Sequence, residues 1–151
     1  TDIIEDAKQP VLVIPEVSKY TGIENLRIMY ATNFDDSDFK AIRKLMSIVH
    51  QFNTKIYFVH IGNPKRNKWN KTKMSAIARH FNNEYRGYNM ESHIIESKDM
   101  LSAIDNFIQT KNINMISLTT HKRGVINKLL HSSFTKKILF HTNTPLLVFH
   151  S

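Results

Sequence analysis

The order of apolar and polar segments predicts an α/β fold: a doubly wound five-stranded parallel sheet with helices on both faces, plus an extra N-terminal strand. From Leu26 onward, short apolar runs alternate with amphipathic segments in the order β-α-β-α-β-α-β-α-β. This alternation is typical of parallel strands joined by crossover helices. All glycines fall between the predicted elements, at positions 22, 62, 87 and 124.

The first half of the chain supplies three predicted strands and one predicted helix. The β-branched run from Pro10 to Pro15 is bounded by prolines, which favours the edge of a sheet. Leu26 to Ala31 is the next strand, and Lys55 to Ile61 is a near-continuous apolar strand, as a parallel sheet requires. The helix between them has three candidate caps, Asp35, Asp36 and Ser37.

The sequence of the middle of the chain predicts a helix, a strand and a second helix, in that order. The first helix carries its apolar residues at helical spacing from Met74 to Tyr85, and the basic, Asn-rich stretch before it, Lys65 to Lys73, is expected to be a mobile loop. A strand follows from about Asn89 to Ile95. Ser97 is expected to cap the second helix, whose inward residues are Met100, Leu101, Ile104, Phe107 and Ile108.

The last part of the chain has the layout of a phosphate-binding loop. Met115 to Leu118 is a buried strand, Thr119 to Gly124 is a polar and basic loop, Ser132 and Ser133 open a helix, and Leu146 to Phe149 is the final strand. A loop after a parallel strand, with hydroxyl groups at the next helix N-terminus, is a common place to hold a phosphate. The glycines that such a cradle usually needs are mostly missing here.

Composition restricts the class of protein. The chain has 151 residues, of which 41% are hydrophobic, and this suits one domain with a core. It has no cysteine and no apolar run near the roughly 20 residues of a membrane span, so we expect a cytoplasmic protein without membrane contact. The net charge of +8 suits either an acidic partner or a basic surface that is simply solvated, and the solvated surface is favoured.

An internal echo suggests that the chain contains part of a second domain copy. Thr1 to Pro15 aligns with Lys136 to His150, since both run as helix, short turn, proline and apolar strand. We therefore expect residues 1–16 to be the tail of a preceding copy, residues 17–25 to be a linker, and residues 26–151 to be the main domain. In that arrangement Val11 to Ile14 should pair with Leu146 to Phe149.

Three stretches of the chain resemble the universal stress protein family: Ile28 to Phe34, Val59 to Ile61, and the tract from Met115 onward. The resemblance covers almost all of Leu26 to Phe149 and implies an adenine-nucleotide α-hydrolase-like fold and a role in the stress response. It also implies dimerisation through the last strand, either as a homodimer or as a pseudo-dimer with a preceding domain.

The resemblance also implies where ATP would bind, and the chain departs from that pattern. ATP-binding members carry Gly, two residues, Gly, nine residues, Gly, then Ser or Thr. The matching positions are Thr119, Lys122, Ser132 and Ser133, of which only Ser133 fits. Thr119 is β-branched and unsuited to the positive φ that glycine allows. Asn33 stands where the family has an acidic residue near the nucleoside.

We therefore predict an interaction module with a degenerate nucleotide site and no cofactor, rather than an enzyme. The alternative is a domain that binds ATP, another adenine nucleotide or a phosphate through a remodelled loop, with at most weak hydrolysis of ATP. The residues lining that site would be Thr32, Asn33, Val59, Thr119, His121, Lys122, Arg123, Ser132 and Ser133.

No other chemistry is favoured by the sequence. The histidines have no metal-binding spacing, so we predict neither a metal site nor catalytic residues. The carboxylates Asp35, Asp36 and Asp38 cluster at a predicted helix start, where capping explains them better than acid–base chemistry. Lys65 to Lys73, with Trp69 and Tyr85, could form a weak nucleic-acid surface. A mobile solvated loop is favoured, and no nucleic-acid-binding motif accompanies the basic segments, so nucleic acid is not the expected partner.

Overall fold

The computed structural model describes residues 7–18, 24–62, 67–120 and 143–150. Within these residues one six-stranded sheet forms. Its strands are β1 (Val11–Val13), β2 (Leu26–Ala31), β3 (Thr54–Gly62), β4 (Asn89–Glu96), β5 (Met115–Thr120) and β6 (Leu146–His150). The helices described are α1 (Asp36–Val49), α2 (Asn67–Glu84) and α3 (Met100–Lys111).

The strand order β1-β6-β5-β2-β3-β4 confirms the predicted fold class. The strands from β6 to β4 pair in parallel, and β1 alone pairs antiparallel. The chain runs outward from the central β2 through β3 to β4, then returns to the other side of β2 as β5 and β6. The winding direction therefore reverses between β2 and β5, and their carboxyl ends flank the switch point where such sheets usually bind ligands.

Helices cover both faces of the sheet because alternate strand residues are apolar on each side. Residues of α1 and α2 pack on one face, against Ile28, Tyr30, Ile56 and Phe58. Residues of α3 pack on the other face, against Met29, Tyr57, Val59 and Ile116. None of the helices in the described ranges is long and apolar enough to cross a membrane.

Two local predictions for the helices are wrong. Helix α2 begins at Asn67, so Asn67 to Lys73 is helical and not a loop; no Gly or Pro interrupts this stretch, and Lys is a good helix former. Asp99, not Ser97, is the N-cap of α3, because its side chain accepts from the Ser102 N–H at 3.2 Å. The helix predicted after Ser132 lies outside the described residues.

The predicted pairing of the N-terminal strand with the last strand is confirmed. Val11 lies opposite Val148, and Val13 lies opposite Leu146. The edge of β6 is thus covered from within the same chain. Of the large apolar side chains that the described residues expose, three lie on or just after β1: Leu12 is 48% exposed, Ile14 is 64% exposed and Val17 is 65% exposed.

Candidate functional site at the carboxyl edge of the sheet

The structure brings part of the predicted site together where β2, β3 and β5 approach their carboxyl ends. Thr32 follows β2 directly, and its N–H donates to the carbonyl of Val59 in β3 at 2.9 Å. Thr119 lies near the end of β5, and Thr32, Val59 and Thr119 are all buried. Asn33 is exposed beside them. The other predicted site residues, His121, Lys122, Arg123, Ser132 and Ser133, lie outside the described residues.

A buried carboxylate, Asp38 in the first turn of α1, organises this edge. One oxygen, Oδ1, accepts the Tyr30 hydroxyl at 2.9 Å. The other, Oδ2, accepts the Thr32 hydroxyl at 2.6 Å and the N–H groups of Asn33 and Asp35 at 3.2 and 3.4 Å. Only 3% of Asp38 is exposed. A single side chain thereby fixes both the end of β2 and the turn into α1.

Burial perturbs the titration of both acids in this contact. It raises the pKa of the Asp38 carboxyl, and the four hydrogen bonds that the carboxyl accepts oppose the rise. Burial and the neighbouring Asp38 charge raise the pKa of Tyr30 well above its usual value. Tyr30 therefore remains a neutral hydroxyl that donates to Asp38.

Thr119 connects the end of β5 to the same cluster. Its Oγ1 lies 2.7 Å from the Tyr30 hydroxyl oxygen. Since the Tyr30 hydrogen points at Asp38, Thr119 acts as the donor in this pair. We call Tyr30, Thr32, Asp38 and Thr119 the Asp38 cluster; it spans β2, α1 and β5 at the switch point of the sheet.

The sequence interpretation of Asp38 as only a helix-capping residue was incomplete. Its acceptance of the Asp35 N–H is a capping contact, but its two hydroxyl partners lie in the core. A signal for this was present: Asp38 is in phase with Ile42, Leu45 and Val49, the buried positions of α1. That phase indicates a side chain that faces the sheet.

The turn between β2 and α1 contains one residue with an uncommon backbone. Phe34 has φ 66°, a left-handed conformation that is rare for a bulky side chain. Its N–H donates to the Thr32 hydroxyl at 3.0 Å, and its ring centroid lies 4.3 Å from that of His60. The His60 Nδ1 in turn donates to the Thr32 carbonyl at 2.9 Å. Sequence patterns do not reveal this conformation; in the structure the Phe34 N–H is bonded to Thr32 and the ring packs on His60.

No metal site emerges from these residues. Within the described ranges, no three His, Cys, Asp or Glu side chains are arranged to hold a metal ion.

The comparisons with known proteins decide the family. The model of the universal stress protein family matches residues 24–150. The chain belongs to this family. No curated protein matches the sequence.

Solved universal stress proteins share the fold. One from Archaeoglobus fulgidus superposes with a TM-score of 0.73 at 14% identity, over 98% of this chain and 52% of that chain. This chain thus spans about half of that protein. Another from the same organism, solved with dAMP, gives 0.60 at 17% identity, over 82% of this chain and 96% of that one. A third, solved with cAMP, gives 0.56 at 14% identity, over 83% and 97%.

Thr119 stands at a position where the family's ATP-binding members have glycine, and its backbone has an ordinary strand conformation. It remains in the extended strand, where it pairs with Phe149, and β5 continues to Thr120. Only Phe34 and Asn112 have positive φ among the non-glycine residues described. The strain expected for a threonine at a glycine position is therefore absent, because the backbone does not take the glycine conformation.

Proposed function

We propose that this chain is a universal stress protein domain that acts in the cytoplasmic stress response by domain pairing, and not by binding ATP. The observation that carries the proposal is the antiparallel pairing of β1 with β6. In the proposal, residues 1–16 are the tail of a preceding copy, residues 17–25 are the linker, and β1 joins the sheets of the two copies.

Three features support the pairing role. The echo between Thr1–Pro15 and Lys136–His150 makes β1 the counterpart of β6, so that the two strands pair as equivalent elements. The exposed apolar side chains of Leu12, Ile14 and Val17 provide a surface for the rest of the preceding copy. The superposed Archaeoglobus fulgidus chain is about twice as long as this one, which leaves room for a second copy.

The Asp38 cluster supports the loss of ATP binding. The hydroxyls of Tyr30 and Thr119 bond to each other at the switch point, and the Tyr30 hydroxyl also donates to Asp38. The Asn33 N–H is likewise bonded to Asp38. These donors are already bonded within the protein, and Thr119 does not offer the close backbone approach that glycine provides.

Strand pairing is tested with a proline in β1. Leu12→Pro should break the β1–β6 ladder and free the edge of β6, so the variant should dimerise in sedimentation velocity experiments. A synthetic peptide of residues 7–18 should reverse this. Leu12→Thr, which keeps the strand, is the matched control. A Leu12→Pro variant that remains as monomeric and as stable as Leu12→Thr would refute the pairing role.

A second candidate function is nucleotide or phosphate binding through a remodelled loop. It is favoured by the meeting of Thr32, Val59 and Thr119 at the switch point and by the dAMP and cAMP complexes of fold neighbours. Its site would be completed by Asn33, His121, Lys122, Arg123, Ser132 and Ser133.

Calorimetric titration with ATP separates the two functions. The pairing proposal expects no heat of binding. Micromolar binding that Lys122→Glu abolishes would establish the nucleotide site and overturn the loss of ATP binding, while leaving the result of the strand experiment unaffected.

A further inference from the structure

Helix α2 presents a row of exposed hydrogen-bond donors on the side away from the core. Its members are Lys71, Ser75, Arg79, Asn82 and, just past the helix end, Arg86, and all five are exposed. The four helical members, from Lys71 to Asn82, follow one another at intervals of three or four residues, so they lie on one side of the helix, and Arg86 follows in the turn after it. We call this row the α2 stripe; at 1.5 Å per residue its helical part is about 16 Å long.

The opposite side of α2 packs on the sheet and holds the helix in place. Met74, Ile77 and Phe81 are buried against the sheet. The one carboxylate of the helix, Glu84, lies on the flank that faces α1, where it accepts from Arg43 Nε at 2.9 Å and lies 3.0 Å from His80 Nε2. The α2 stripe therefore contains no acidic residue.

The cationic side chains of the α2 stripe form no ion pairs within the described part of the chain. Lys55 contacts Glu91 and Arg43 contacts Glu84, whereas Lys71, Arg79 and Arg86 form no ion pair with any residue in the described part of the chain. On the other side of the sheet, the α3 region balances Lys98 and Lys111 with Asp99 and Asp105. Among the described helices, α2 therefore carries an excess of positive charge that the α3 region does not.

We propose that the α2 stripe binds the phosphate backbone of double-stranded nucleic acid. Lys and Arg, flanked by neutral Ser and Asn donors, are the side chains that contact phosphate oxygens without reading bases. The stripe carries no aromatic residue for base stacking, which favours a duplex over a single strand. The sequence disfavoured nucleic acid because no binding motif accompanies the basic segments and because Lys65 to Lys73 was expected to be a mobile loop, whereas Asn67 to Lys73 is helical.

The first measurement is the affinity of the full chain for a labelled DNA duplex of mixed sequence, followed by fluorescence anisotropy at increasing salt. Three phosphate contacts, from Lys71, Arg79 and Arg86, give a slope of log affinity against log salt of about −2.7. A tenfold rise in salt should therefore weaken binding by a few hundred-fold. The affinity should not depend on duplex sequence.

Paired charge reversals locate the contact. Lys71→Glu with Arg79→Glu should reduce the affinity at low salt at least tenfold and flatten the salt slope by about 1.8, from two lost contacts. Lys40→Glu with Lys44→Glu makes the same change of charge at exposed positions of α1 and should leave the slope unchanged. Circular dichroism checks that both variants keep the helical signal of the parent.

Three results would overturn the proposal. The first is the absence of binding at low salt. The second is an equal loss of affinity in the α1 control, which would assign binding to net charge alone. The third is displacement of the duplex by polyglutamate at the same charge concentration as by unlabelled DNA, which would indicate an acidic protein as the partner class.

Discussion

Two polar clusters are attached to the same helix, α1, and they differ in burial. The Asp38 cluster lies at the start of the helix, inside the core. The second, which we call the Glu84 cluster, joins Arg43 of α1 to Glu84 and His80 of α2 on the surface. Both contain one carboxylate with several donors, yet the pKa of Asp38 is raised by burial while the pKa of Glu84 is lowered by the Arg43 hydrogen bond.

The difference shows that the environment, and not the number of contacts, sets the energetic role of a carboxylate. Water can replace any partner of Glu84, so its contacts contribute little to folding. Asp38 has no such substitute: the buried hydroxyls of Tyr30 and Thr32 would lose their acceptor in the core if the carboxylate were removed. The buried cluster thus fixes the geometry of the carboxyl edge, and the exposed one only fastens two helices at their surface.

The largest expected effect is that of Asp38→Ala. It leaves the hydroxyls of Tyr30 and Thr32 and the N–H groups of Asn33 and Asp35 without their acceptor, so the free energy of unfolding should fall by about 3 kcal/mol or more. Urea denaturation followed by circular dichroism measures it. Asp36→Ala, an exposed residue of the same turn, is the control. Equal losses in the two variants would remove the distinction between buried and exposed carboxylates.

Tyr30→Phe should cost less, about 1–3 kcal/mol, because it removes one hydroxyl and leaves Asp38 with its other donors. It also leaves the Thr119 hydroxyl without its partner. The matched control is Tyr88→Phe, since the Tyr88 hydroxyl makes only an exposed 3.5 Å contact with the His50 carbonyl. A Tyr30→Phe variant as stable as the control would show that the hydroxyl pair contributes nothing to the stability of the fold.

Much of the fold, but less of the site, was predictable from the sequence. The apolar run from Lys55 to Ile61 predicts β3 correctly, because a strand buried on both faces has no polar side to interrupt it. The contact between Tyr30 and Thr119 depends on the register of β2 against β5, two strands far apart in the chain, and no local pattern contains that register. The buried role of Asp38 was missed for another reason. An acidic residue in the first turn of a helix is already explained by capping, so nothing suggested a second role.

The pH dependence of stability should have opposite signs in the two clusters. Because the folded-state pKa of Asp38 lies above its ordinary value of 3.8, the native state binds more protons than the unfolded chain between these two values. The stability of the parent relative to Asp38→Asn should therefore be greatest below the ordinary pKa and decline as pH rises through the folded pKa. Denaturation at a series of pH values, with both proteins, measures it. A difference in unfolding free energy that does not change with pH would mean that burial does not set the pKa of Asp38.

The smallest effect is expected for Glu84→Gln. The folded-state pKa of Glu84 lies below its ordinary value of 4.5, so its contribution is present at neutral pH and is lost as pH falls through the folded pKa. The difference in unfolding free energy between the parent and Glu84→Gln should accordingly be small at pH 7 and shrink on acidification. It should also shrink in high salt, because both Glu84 and Arg43 are partly exposed. Denaturation at low and high salt tests this. A large, salt-independent loss would make the surface cluster as important to folding as the buried one, and the contrast between them would fail.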